Sequence, residues 1–196
     1  MCCLSISTFY EVHPIGRMTS QLYIQVVASS LLSTQQKDEI CQLCRRVYQE
    51  EFADFWANLP DSMHVLGYLD GELVTHAAWV LRWLQPAGQL PLRTAYVEAV
   101  ATDLPQQRHG YATQVMQRLQ AEIVDYELGG LSENPDVRHW YARLGWESWQ
   151  GPLSIRSEQG ILPTPQDHCM ILRLPKTPFL QLNLGLSAEW RPGELW

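Results

Sequence analysis

A single acid inside an apolar strand, followed at once by a basic glycine turn and a helix, constrains this chain more than any other feature. The stretch runs from Thr94 to Ala112, TAYVEAVATDLPQQRHGYA. Tyr96, Val97 and Val100 favour an extended, half-buried backbone, and the run breaks at Asp103-Leu104-Pro105. Gln107-Arg108-His109-Gly110-Tyr111-Ala112 and an amphipathic segment follow. Together, strand, turn and helix N-terminus make a site for a pyrophosphate. Unpaired backbone N–H groups point outward there, and the helix dipole favours negative charge. Glu98 then reads as a base beside a bound cofactor. The alternatives are an ordinary outward strand residue and an ordinary strand-to-helix turn.

At 196 residues and 46% hydrophobic content, the chain is sized for one domain with a buried core. Residues 1–20 read as an arm and 21–196 as a single domain. No uninterrupted apolar run reaches the roughly 18 residues of a bilayer-spanning helix. The start MCCLSISTFYEVHP also lacks the basic-then-apolar pattern of a secretory signal. Cys2 and Cys3 have no membrane context that would favour lipidation. No membrane partner is expected.

The net charge of −7 argues against a nucleic-acid surface and suits a cationic substrate. Charge alone fits a generally acidic protein equally well. Five cysteines, an odd number without a disulfide framework, suit a reducing cytoplasm. Cys41 and Cys44 of CQLC share one helix face with Ile40, Val47 and Tyr48, which reads as core packing. No second pair completes a zinc set, and none of the six histidines has metal-ligand spacing. No metal is expected.

Leu22 to Val27 alternates as a first strand. Ser33-Thr34 offers an N-cap for a helix over Gln35 to Phe52, with a shorter helix over Ala53 to Leu59. His64 to Leu69 and Glu72 to Leu84 read as strands joined by the hairpin turn Asp70-Gly71, since both residues tolerate positive φ. A loop over Gln85 to Arg93 leads to a strand over Thr94 to Thr102 and a helix over Gly110 to Glu127. A short strand closes near Gly129-Gly130-Leu131-Ser132. Asn134-Pro135 opens a helix that ends at Gly145. Trp146 to Trp149 is a strand, Ile155 to Asp167 a loop with Gly160, Pro163 and Pro165, and Cys169 to Leu174 the final strand. The tail from Lys176 is ordered only by packing. The fold class is α/β.

This order and these motifs resemble the GNAT acyl-CoA N-acyltransferase superfamily. Its phosphate-loop pattern, Gln/Arg-x-x-Gly-x-Gly/Ala, stands here as Gln107 to Ala112, and WYARLGW (Trp140 to Trp146) is similar to its Tyr-x-x-x-Gly-aromatic stretch. The implied architecture is a mixed central sheet of about six to seven strands flanked by helices. A narrower resemblance, from about His64 to the C-terminus, is to the aminoglycoside 2′-N-acetyltransferases. It rests on YVEAVAT, GLSENPDVRHWYARLGWESWQGP, LPTPQD and the terminal EWRPGELW.

The resemblance implies acetyl-CoA as donor, an aminoglycoside amine as acceptor, a homodimer and a bacterial cytoplasmic setting. Transfer is direct, without an acyl-enzyme. A substrate ammonium must lose a proton before it attacks, and Glu98 is positioned to take it. The backbone N–H of Val100 polarises the thioester if the strand is bulged there, and Tyr141 matches the donor to the departing thiolate. Pantetheine pairs along Val100, Ala101 and Thr102 as an added strand. The amides of Arg108, His109, Gly110, Tyr111 and Ala112, after Gln107, cradle the pyrophosphate, with Asn134 a further cofactor contact.

Acceptor contacts fall on Glu98, Ser132, Glu133, Asp167, Glu194 and Trp196, the last through its terminal carboxylate. Glu50, Glu51 and Asp54 are further acids upstream. Trp196 and Trp83 are the first candidates for stacking on a sugar ring. Glu194 stands where that group often has aspartate, and Glu133 and Asn134 replace smaller polar residues. A kasugamycin-type acceptor therefore stands beside the gentamicin and tobramycin type. A polyamine, peptide N-terminus or other small amine is an alternative acceptor. A non-catalytic acyl-CoA-binding domain is an alternative of another class.

Overall fold

The computed structural model describes residues 21–49, Trp56, Leu59, 61–132, 135–192 and 195–196. The arm 1–20 with Cys2 and Cys3, the short helix expected from Ala53, and Glu50, Glu51, Asp54, Glu133, Asn134 and Glu194 lie outside the described residues.

Seven strands build the main sheet: β1 (Tyr23–Ala28), β2 (Met63–Leu69), β3 (Glu72–Pro86), β4 (Leu92–Thr102), β5 (Leu128–Ser132), β6 (Glu147–Ser148) and β9 (Cys169–Arg173). Their spatial order is β1-β2-β3-β4-β5-β9-β6, antiparallel except for the parallel β4–β5 pair. The β2–β3 hairpin turns on Asp70 and Gly71 at φ 52° and 89°, the left-handed pair expected from the sequence.

Successive residues of β2 to β4 point to opposite faces and are buried on both. Leu66, Val80, Leu84 and Tyr96 pack with Ile40, Leu43 and Cys44 of α1 (Thr34–Tyr48). Val65, Ala77, Trp79, Ala95 and Val97 pack with Val115, Met116 and Leu119 of α2 (Tyr111–Glu122). Ser33 and Gln36 close a reciprocal capping box at the start of α1, and left-handed Gln49 ends it before the predicted Phe52. Cys44 and Cys169 are buried and Cys41 half-buried; burial pushes the Cys44 thiol up to about 12. No helix among the described residues is long and apolar enough to cross a membrane.

Two expectations are corrected. The segment from Ile155 to Asp167 is not a loop throughout: β7 (Leu153–Ser157) and β8 (Gly160–Pro163) form a hairpin. Gly160, at φ 118°, serves the turn, and Pro163 ends an edge strand where its missing N–H costs nothing. Nor is Cys169 to Leu174 the final strand. Within the tail, β10 (Leu186–Glu189) pairs parallel to β7 and antiparallel to the end of β3. It is too short to show a period in sequence, and its partners lie far along the chain.

Candidate active site

The β4–β5 pairing stops at Val97↔Leu131. One residue further on, Glu98 and Ser132 stand on either side of the point where the strands part. Glu98 to Thr102 have no β5 residue opposite them. On the β3 side the register jumps from Ala78↔Glu98 to His76↔Ala101, so Ala99 and Val100 oppose the single residue Ala77. This is a β-bulge, and Ala99 occupies it at φ 52°, a conformation L-residues rarely adopt. The bulge on which the reading of Val100 depends is present. Tyr48 of α1 donates its hydroxyl to the Val100 carbonyl at 2.7 Å.

Beyond the unpaired edge, Gln107 Nε2 donates to the Thr102 carbonyl at 3.2 Å and ties the turn to the strand. Arg108 (φ 66°) and Gly110 (φ 83°) are both left-handed, and the turn from Gln107 to Gly110 is exposed. Left-handed residues at a helix start aim successive amides at one point, as anion-binding nests do. A Cβ at Gly110 would meet nothing within 4 Å, so the approach to these amides is open. His109 stacks on Tyr111 at 5.8 Å between centroids. Ala112 lies in the first turn of α2, half-buried.

Tyr141 lies on α3 (Arg138–Arg143), 7% exposed between the rings of Trp140 and Trp146. Trp140 Nε1 donates to Thr113 Oγ1 at 3.1 Å, which fixes α3 against the first turn of α2. Burial pushes the Tyr141 phenol well above its ordinary value, so it stays protonated and able to donate.

The acceptor candidates gather through β9 and the tail. Ser132 pairs with Cys169, and half-buried Asp167 lies two residues before it, in a turn closed by Asp167 N–H to the Thr164 carbonyl. Trp196 Nε1 donates to Thr164 Oγ1 at 2.9 Å. Trp196 is therefore tied to the turn that carries Asp167. The Trp196 ring is 4% exposed, however, and packs in the core, while Trp83 on β3 is half-exposed.

Sequence reasoning missed two arginines. Arg82, 1% exposed, clamps the tail: its Nη1 donates to the Leu195 carbonyl, its Nη2 to the Glu189 carbonyl and its Nε to Glu189 Oε1, at 2.7, 2.8 and 3.1 Å. Arg191 Nη2 donates to Glu98 Oε1 at 2.7 Å. Both guanidinium groups lie over the Tyr96 ring, at 5.1 and 5.9 Å. Tyr96 is on the Glu98 face of β4 by two-residue alternation. Its hydroxyl is buried without a hydrogen-bond partner among the described residues, and burial pushes its phenol up. The only available signal was a lone arginine inside the apolar run of β3, the same kind of interruption that singled out Glu98.

The chain combines split strands, a bulge and a left-handed turn at a helix start, and residues 31–146 match the acetyltransferase (GNAT) family model. The chain belongs to the GNAT acetyltransferase family. An aminoglycoside 2′-N-acetyltransferase of Mycolicibacterium fortuitum is 30% identical over 178 residues, covering 88% of this chain and 91% of that protein. Among solved structures, the GNAT N-acetyltransferase YhbS of Escherichia coli, in complex with CoA, superposes with a TM-score of 0.60 at 16% identity, covering 88% and 91%. ElaA of Escherichia coli gives 0.59 at 16%, covering 78% and 100%. These two likenesses show the fold. GNAT acetyltransferases draw on acetyl-CoA. The open left-handed turn and the unpaired β4 edge fit such a donor.

Proposed function

We propose that this GNAT acetyltransferase acetylates an amine of an aminoglycoside, the 2′ position first. The observation that carries the reading is Glu98, a carboxylate at the parting of β4 and β5 that already holds a cation, Arg191, at 2.7 Å. The relative named for aminoglycosides supports it. Acetyl-CoA supplies the acetyl group as an activated thioester. Glu98 takes the proton of the acceptor ammonium and leaves a nitrogen lone pair to attack the thioester carbon. The Val100 amide donates to the carbonyl oxygen as its charge grows. As the new C–N bond forms and the C–S bond breaks, Tyr141 gives its proton to the sulfur. The proton shed by the amide nitrogen restores the phenol.

In this reading Arg108 to Ala112, following Gln107, hold the diphosphate, and Val100, Ala101 and Thr102 pair with the pantetheine. Ser132 and Asp167 face the acceptor, and the enzyme is a homodimer.

Thiol release from acetyl-CoA with a panel of gentamicin, tobramycin, kasugamycin, spermidine and an unblocked peptide tests the reading. Turnover with an aminoglycoside is the expected result. Turnover with spermidine or the peptide and with no aminoglycoside would overturn it. Kasugamycin against the other two antibiotics separates the two acceptor types.

A further inference from the structure

A chain of buried polar groups ends on the β4 bulge. Ser62 Oγ lies 2.8 Å from the Leu59 carbonyl oxygen and 2.8 Å from His64 Nε2. His64 Nδ1 lies 2.9 Å from His76 Nε2, and His76 Nδ1 lies 2.8 Å from the Ala99 carbonyl oxygen. Ser62, His64 and His76 are all fully buried.

Both ends of this chain are carbonyl oxygens, which only accept. Its four contacts need four protons, whereas one serine and two neutral imidazoles bring three. Burial holds His64 at about 3 and His76 at about 4, so both rings are neutral at physiological pH. One contact therefore lacks a proton, and its position decides what the chain does. With the gap at the Ala99 end, two lone pairs face each other under a residue already held at φ 52°. With the gap anywhere else, His76 Nδ1–H serves the Ala99 carbonyl.

We propose that His76 is a positioning residue for acetyl transfer: its Nδ1–H donates to the Ala99 carbonyl and fixes the Ala99–Val100 peptide with the Val100 N–H turned outward. The carbonyl and the N–H concerned belong to one trans peptide plane and point in opposite directions. Gripping the oxygen from β3 therefore turns the N–H away from His76. Donation to the oxygen also polarises the same unit and strengthens its N–H as a donor. Tyr48 grips the next carbonyl from α1, so the bulge is held from two elements. The proposal rests on the assignment of the Val100 amide to the thioester oxygen.

Two variants and one spectrum test it. His76→Asn keeps an N–H donor on the side-chain γ-carbon, where Nδ1 stands, and His76→Leu removes it. The expected result for His76→Leu is a loss of kcat of about tenfold or more, on the scale of a weakened oxyanion donor. The acceptor KM, measured with whichever amine is turned over, and the calorimetric Kd for CoA, which has no acyl carbonyl, stay within about twofold. His76→Asn retains most of kcat. Wild-type kcat in His76→Leu, or equal losses in both variants, overturns the proposal.

Nitrogen-15 spectra of histidine-labelled wild-type protein read the tautomer even if His76→Leu does not fold. The expected His76 tautomer is Nδ1–H. An Nε2–H tautomer sinks the proposal and leaves Val100 standing as the oxyanion donor. An Nδ1–H tautomer with undiminished kcat in His76→Leu overturns the positioning role of His76 and leaves the assignment of Val100 standing, with Tyr48 and the bulge holding its peptide.

Discussion

The guanidinium of Arg191 holds the carboxylate of Glu98, Nη2 to Oε1 at 2.7 Å, with the two side chains 16% and 15% exposed. Arg191 thus occupies one oxygen of the carboxylate that, in the proposed reaction, takes the acceptor's proton. A cationic acceptor must displace it, and a hydrogen bond between charged groups is worth roughly 1.5–3 kcal/mol. Replacing Arg191 by alanine removes this competitor. The acceptor KM in steady-state thiol-release kinetics is expected to fall about tenfold or more, with the CoA Kd unchanged. A rise in KM would show instead that Arg191 itself contacts the acceptor.

Tyr141→Phe deletes one hydroxyl from a ring packed between two tryptophans. The packing survives, so the thermal midpoint stays close to that of the wild type. The proton for the departing sulfur is lost, and kcat drops by a factor of about ten to a hundred, at or below the usual range for a general acid. Stopped-flow thiol release measures this. Unchanged kcat would leave Tyr141 as core packing.

Gly110→Ala separates backbone conformation from crowding at the turn proposed to hold the diphosphate. The added Cβ meets nothing within 4 Å, but the residue must still hold φ 83°. The left-handed conformation costs alanine about 1 kcal/mol, and calorimetric CoA affinity falls about fivefold as the turn relaxes. Wild-type affinity would show that the turn does not shape the diphosphate site.

The Asp70-Gly71 turn, the basic glycine turn before α2 and the acid in the strand were legible because each is written in adjacent residues. Asp70-Gly71 carries its left-handed conformation locally, whereas the left-handed backbone of Arg108 and of Ala99 was not foreseen. The N-cap expected at Ser33-Thr34 is likewise local, and the structure places it on Ser33. The contacts of the two arginines were not legible, because their partners are remote: Arg191 and Glu98 are 93 residues apart, and Arg82 and Leu195 are 113 apart. No local period announces such a contact. The β7–β8 hairpin was hidden by Gly160, Pro163 and Pro165, which mark a loop in most settings but here serve a turn and an exposed edge.

The two buried histidines also set a pH dependence of stability. Burial holds His64 at about 3 and His76 at about 4, below the ordinary 6.5. As pH falls through 6.5 the unfolded chain takes up protons that the folded chain refuses. Their contribution is therefore fully present above 6.5 and is lost as pH falls toward 4, by about 1.4 kcal/mol per pH unit for each ring. Thermal midpoints by circular dichroism are expected to decline steadily between about pH 6.5 and about pH 5, and His76→Asn to decline with roughly half that slope. A flat profile would contradict two neutral buried imidazoles.

The role of Glu98 is tested most directly by single-turnover acetyl transfer in Glu98→Gln, with saturating acetyl-CoA and an aminoglycoside, across a range of pH. Near neutrality the variant is expected to be about a hundredfold slower or worse. The gap should close as pH approaches that of a free amine, roughly 8–10, where solution removes the proton instead. Equal rates for wild type and variant near neutrality would contradict Glu98 as the proton acceptor.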